Sequence, residues 1–112
     1  MTEKKRVNPN TLKNALMNIK SRFENRTVDK MSVVGDMYKT GMISALGIGH
    51  DGYVTKFNAP ENFTVNDLLK LADITDTDIE LIWEVVKNQA IKNYKKRDIS
   101  HLLAHDDSEA FL

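Results

Sequence analysis

The sequence contains no cysteine. That absence excludes a disulfide framework, a thiolate zinc site and a thiol nucleophile, and it suits a reducing compartment; a cytoplasmic protein is expected. Proline occurs twice and glycine five times in 112 residues, so few residues interrupt regular structure. Long apolar runs are missing as well. The longest apolar-leaning stretch, Met37 to Ile48, contains Lys39, Thr40 and Gly41 and is too short to span a bilayer, so no membrane association is expected. Residues 1–7 are charged and lead into no apolar segment, so no signal peptide is expected.

What is present describes an ordinary globular chain. The apolar share of 41% and the charged share of 29% are enough for one hydrophobic core, and the length leaves no room for a second. Lysine outnumbers arginine and asparagine is plentiful. That bias accompanies AT-rich coding sequence, as in low-GC bacteria and their phages.

Net charge is zero but unevenly spread. The first thirty residues are basic, with Lys4, Lys5, Arg6, Lys13, Lys20 and Arg22 among them, whereas residues 61–84 carry seven acids against Lys70. A basic cluster from Lys87 to Arg97 and an acidic tail follow. Such a dipolar chain could meet nucleic acid at one end or a basic protein surface at the other.

Hydrophobic spacing predicts helices. Asn8 is placed to cap a helix that tolerates Pro9 in its first turn, and Leu12, Leu16, Ile19 and Phe23 recur on one face. A second helix is expected from a Thr27 cap through Met31, Val34, Tyr38, Met42 and Ala45, stopped by Gly47. Gly35 and Gly41 inside it imply a kink or close backbone approach. Residues 48–60 lose the pattern; Tyr53, Thr55 and Phe57 alternate as in a short extended segment.

Two threonine starts follow. Thr64 with Phe63, Leu68 and Asp67 forms a cap and a hydrophobic staple; Thr75 with Ile74, Ile79 and Asp78 repeats the arrangement before a longer helix reaching Tyr94. Asp98 is placed to cap a last short helix through His101 to His105. The expected fold is therefore all-α or nearly so: a bundle of four to five helices with one irregular or short β connection near residues 48–60. Its core would contain Leu16, Ile19, Phe23, Val34, Tyr38, Leu68, Leu71, Ile79, Ile82, Trp83, Val86 and Ala90. Residues 1–7 read as a flexible basic arm, 8–105 as one helical domain and 106–112 as a flexible acidic tail.

Several motifs compete with simpler explanations. Gly47-Ile48-Gly49-His50-Asp51-Gly52 spells the dinucleotide fingerprint, but a helix precedes it and an extended segment is expected to follow, the reverse of the required context. Asp76, Asp78 and Glu80 alternate like a calcium loop, yet Leu81 and Lys87 occupy the positions that need glycine and glutamate. His101 and His105, four apart, could face one metal, with Asp106 or His50 as a third ligand. Residues 65–96 resemble a helix-turn-helix in outline, but its second helix would offer Asp76, Asp78, Glu80 and Glu84 to phosphates. No nucleophile stands beside a base in a recognisable pattern, so no enzyme and no cofactor are expected.

The leading expectation is a non-catalytic module, an adaptor or regulator, that binds another protein through Phe111 and Leu112 or through Asp76, Asp78 and Glu80. The alternative is nucleic-acid binding by Lys4, Lys5, Arg6, Lys13, Lys20 and Arg22. A minor alternative is metal binding by His101 and His105.

Overall fold

Helices follow one another almost without pause in the computed structural model, which describes residues 6–109. They are α1 (Pro9–Glu24), α2 (Met31–Gly35), α3 (Lys39–Leu46), α4 (His50–Asn58), a 3-10 turn (Pro60–Asn62), α5 (Val65–Thr75), α6 (Ile79–Asn93) and α7 (Ser100–Glu109). Among the described residues there is no strand. The described residues are all-helical in their regular structure, with seven α-helices where four or five were expected.

The first helix forms as its sequence suggests. Asn8 caps it, its side-chain oxygen accepting from the backbone N–H groups of Asn10 and Thr11, and Pro9 opens the first turn. At its far end Arg26 adopts a left-handed conformation (φ 57°). Thr27 N–H then bonds back to the Arg22 carbonyl at 3.0 Å, the wrapped ending that normally favours glycine at the left-handed position.

The single helix expected between Thr27 and Gly47 is two. Thr27 caps nothing: its hydroxyl donates to the Arg22 carbonyl. α2 starts after Lys30, which offers no side-chain cap, and Gln89 of α6 supplies the missing acceptor, taking the Met31 N–H at 2.7 Å. The break between α2 and α3 falls just after Gly35, and both internal glycines are places of close approach. A β-carbon on Gly35 would lie 2.7 Å from the Phe57 ring, and one on Gly41 would lie 2.5 Å from the Tyr38 ring. Gly47 ends α3 in the left-handed region (φ 68°), as its position implied.

The extended connection expected near residues 48–60 is instead α4. The alternation of Tyr53, Thr55 and Phe57 was misleading, because Thr55 is exposed while Tyr53 and Phe57 are buried. The operative spacing is four, not two. Phe57 fits against the bare backbone of Gly35, and the Tyr53 hydroxyl donates to the Gly35 carbonyl at 2.8 Å. Local propensity did not reveal this helix; its packing against α2 does.

Thr64 caps α5 as expected, in a reciprocal box with Asp67. The next cap is displaced. Thr75 is the last residue of α5, its buried hydroxyl bonded to the Leu71 carbonyl, and Asp78 caps α6 by accepting from Glu80 N–H. Between them Asp76 turns left-handed (φ 52°). Ile74 and Ile79 still flank the core from either side of the turn.

The core is assembled by α1 packing on α3, α5 and α6, α2 on α4, α5 on α6, and the 3-10 turn bridging α4 and α6. Ile19, Phe23, Met31, Val34, Met42, Leu46, Tyr53, Phe57, Leu71 and Ile82 are almost completely buried. Leu68 and Val86 join them, and Leu16 and Ile79 flank them. Trp83 is a correction: it is 44% exposed. Ile82 and Val86 face inward, and Trp83 lies about a quarter-turn off that direction on the wheel of α6.

After Asn93 the chain leaves this body. Residues 94–99 are not helical and all are exposed. α7 then runs past the expected end at His105 to Glu109, because nothing between Ser100 and Glu109 breaks a helix. Among the described side chains, none from Lys95 to Ala104 belongs to the core or its flank.

Candidate functional site

The acidic residues proposed as a partner surface serve the fold. Asp76 is the left-handed hinge between α5 and α6. Its carbonyl accepts from Lys20 Nζ at 2.6 Å and its carboxylate lies 3.5 Å from the same ammonium. Asp78 caps α6, and Glu80 is exposed in its first turn. Only Glu80 is left without a structural task among the three.

The basic residues do not converge. Lys20 is held by Glu24 at 2.9 Å as well as by Asp76, and the Glu24 carboxylate with Asp76 behind it raises the ammonium above its ordinary value. Lys13 and Arg22 are exposed on α1. Nine helical residues apart, they point to opposite sides, while Lys13 and Lys20 share one side. Arg6 is exposed ahead of α1. Lys4, Lys5, Phe111 and Leu112 lie outside the described residues.

Of the histidines, the side chain of His105 lies outside what the structure describes, and the other two do not meet. His101 is exposed on α7, and His50 is exposed with its Nδ1 3.3 Å from Asp51. Among the described residues no three His, Asp or Glu side chains gather where they could hold a metal ion. The glycine-rich run is a stop and a start: Gly47 ends α3, Gly49 precedes α4 and Asp51 lies in its first turn. A helix therefore opens there after all, contrary to the sequence expectation. Its N-terminus already carries a carboxylate, and no strand precedes it.

A wider concavity than any of these features lies elsewhere. A groove of about 800 Å³ opens between α6 and the segment joining α1 to α2. Phe23 and Val28, nearly buried, form its floor, and Leu81 and Val85 line the α6 wall. Arg26 reaches across to Glu84 at 2.9 Å, tying one wall to the other. Holding a non-glycine residue in the left-handed region costs about 1 kcal/mol, and at Arg26 that conformation coincides with this cross-link. The walls carry no serine, histidine or tyrosine.

The chain matches no protein-family model, no curated protein and no solved structure.

Beside the groove stands the feature that the sequence reading passed over. The groove's far end includes Ile91, Lys92 and Asn93, the last residues of α6, and the chain departs from there. Asp98 starts α7, its carboxylate accepting from the Ser100 hydroxyl at 2.7 Å and backbone N–H at 2.9 Å. Those bonds hold its carboxyl below the ordinary value. On this arm Ile99, Leu102 and Leu103 are 41%, 52% and 58% exposed, a three-residue apolar face at helical spacing. The available signal was that these leucines share a short helix with no further apolar residue at the spacing a core needs.

An open groove with an apolar floor and a helix with an exposed apolar face are equipped for non-covalent recognition of polypeptide surface.

Proposed function

We propose that this protein is a non-catalytic protein-binding module, an adaptor or regulator, that docks through its C-terminal arm. The observation that carries the reading is the joint exposure of Ile99, just ahead of α7, and of Leu102 and Leu103 on it, none of which joins the core. Fully burying an exposed leucine is worth about 1.5–3 kcal/mol, so a protein that leaves three large aliphatic side chains about half exposed forgoes part of that for each. A ten-residue helix is also shorter than the roughly 12–15 residues at which isolated helices become marginally stable. Both facts favour a surface that α7 covers and that in turn supports it. Recognition of an amphipathic helix by an apolar groove is a common way of meeting those two needs together.

The test uses Leu102→Asp with Leu103→Asp. Neither residue touches the core, so the thermal transition of the body is expected to stay cooperative. Capture of protein partners by the tagged chain from cells of its source should be lost, while a control, Leu69→Asp on the exposed face of α5 (51% exposed), should leave it intact. Undiminished capture by the double variant would refute the reading.

Nucleic-acid binding through the basic N-terminal third is the weaker proposal, since Lys20 is engaged by Glu24 and Asp76 and Arg22 faces away from Lys13. A cytoplasmic, bacterial or phage setting belongs to the proposal on composition alone.

A further inference from the structure

We propose that the arm's partner is a second copy of this chain: α7 of one protomer lies in the groove between α6 and the α1–α2 segment of the other, and the exchange is reciprocal. This rests on the reading of α7 as a docking element and names what it docks on.

Four observations lead there. The dimensions agree. From Leu81 to Lys92 the groove's α6 wall is about 17 Å long, and α7, at ten residues, is about 15 Å long. The chemistry agrees too. The groove offers Leu81, Val85 and Ile91 beside its Phe23 and Val28 floor, and the arm offers Ile99, Leu102 and Leu103. Charge is matched around that centre. With Arg26 and Glu84 paired to each other, the groove keeps Lys30 and Lys92 against Asp29, and in the sequence the stretch after Leu103 is acidic, with Asp106, Asp107 and Glu109.

The fourth observation separates exchange from folding back. The arm leaves from the groove's own end, so docking on its own groove would require the chain to reverse sharply over residues 94–99. That segment contains Lys95, Lys96 and Arg97 in succession, and Tyr94 is extended (φ −71°, ψ 131°). Adjacent like charges stiffen and extend a linker, which carries α7 away from its own body and toward a neighbour, the geometry of an exchanged arm.

A standard specific interface of roughly 1,600 Å² divides over four surfaces, two arms and two grooves, as roughly 400 Å² each. Closure by a twofold axis leaves neither an arm nor a groove over, so assembly stops at the dimer.

The absence of native cysteine makes the test clean. One preparation of the full chain carries Leu103→Cys and a second carries Val85→Cys; both are mixed and treated with a short bismaleimide. The expected product is a covalent pair joining one chain of each kind, and the untreated wild type is expected to sediment at twice 12.8 kDa. Leu102→Asp with Leu103→Asp should return the protein to a folded monomer.

A wild type that stays monomeric up to the highest soluble concentration overturns the inference. So does a chain carrying both cysteines that links only to itself, which would place α7 in its own groove. A dimer that survives the double aspartate substitution also overturns it, since another face would then hold the copies together. If the wild type is monomeric and a different protein is still captured only with Leu102 and Leu103 intact, the exchange fails while the docking-module reading stands.

Discussion

Removing the Asp67 carboxylate tests how the α2–α4 half of the body is joined to α5. Asp67 Oδ2 accepts from Lys56 Nζ of α4 at 2.6 Å and from the Thr64 backbone N–H at 3.0 Å. Thr64 Oγ1 in turn accepts from the Asp67 backbone N–H. The side chains of Lys56 and Asp67 are only 23% and 9% exposed, so water screens the pair weakly. Burial pushes the Asp67 carboxyl up, but the bonds from Lys56 and Thr64 outweigh it and hold the group below its ordinary value of 3.8. Asp67→Ala loses a charge-assisted hydrogen bond, about 1.5–3 kcal/mol, and one partner of the helix start, about 1 kcal/mol. Release from burying the carboxylate offsets part of that loss, leaving about 2 kcal/mol. For a domain of this size that lowers Tm by about 8 °C.

Urea denaturation of wild type and variant at neutral pH measures the difference, and repeating it in acid checks the cause. Because the folded pKa lies below the unfolded one, the contribution is complete above the unfolded value and disappears as pH falls through the folded value. The gap between the two proteins should therefore close in acid. Lys56→Met, combined with Asp67→Ala in a double-mutant cycle, should show that the two losses are not additive. A neutral-pH loss below about 0.5 kcal/mol, against the 1–3 typical of losing a buried hydrogen-bond partner, or a gap that persists unchanged into acid, would refute the reasoning.

Three further outcomes follow from the same contacts. Gly35→Ala drives a methyl to within 2.7 Å of Phe57 Cγ. Tyr53 at 4.4 Å and Phe63 edge-on at 5.0 Å hold that ring, so a loss of about 1–3 kcal/mol is expected by chemical denaturation. Tyr53→Phe strands the buried Gly35 carbonyl and should cost about 1–2 kcal/mol. In the wild type, burial with Asp36 nearby pushes the Tyr53 phenol up from 10.0. The unfolded chain therefore ionises first, and stability should fall as pH rises past that value; an alkaline titration followed by tyrosinate absorbance reads it. Asp76→Gly relieves a left-handed residue while leaving the carbonyl that Lys20 binds, so Tm should hold or rise, by up to about 1 kcal/mol in stability; a clear fall in calorimetry would show that the carboxylate matters more than the backbone.

Of the intended site, the sequence displayed the ingredients without the arrangement. Asp76 and Asp78 were legible as acids near a helix start, but their tasks as hinge and cap depend on where α5 stops. Lys20 was legible as a base with Glu24 one turn on, but its bond to the Asp76 carbonyl, 56 positions away, was not. The groove was illegible because its walls come from residues 23–30 and 81–93, brought together by the packing of α1 on α6. Leu102 and Leu103 could be counted in the sequence, but their exposure is a tertiary fact.

Chain-local chemistry was enough for the largely helical class, the Asn8 and Thr64 caps, the Gly47 stop and the inward faces of α1 and α5. Those features depend on neighbours within about one turn, where spacing and hydrogen-bond donors are readable from residue order. The tertiary structure alone decided that residues 50–58 coil rather than extend, that α2 takes its cap from Gln89, that Trp83 stays at the surface and that α7 stands apart. Each of those outcomes depends on which distant surfaces meet, and burial against a distant partner outweighs the fraction of a kcal/mol by which local propensities differ.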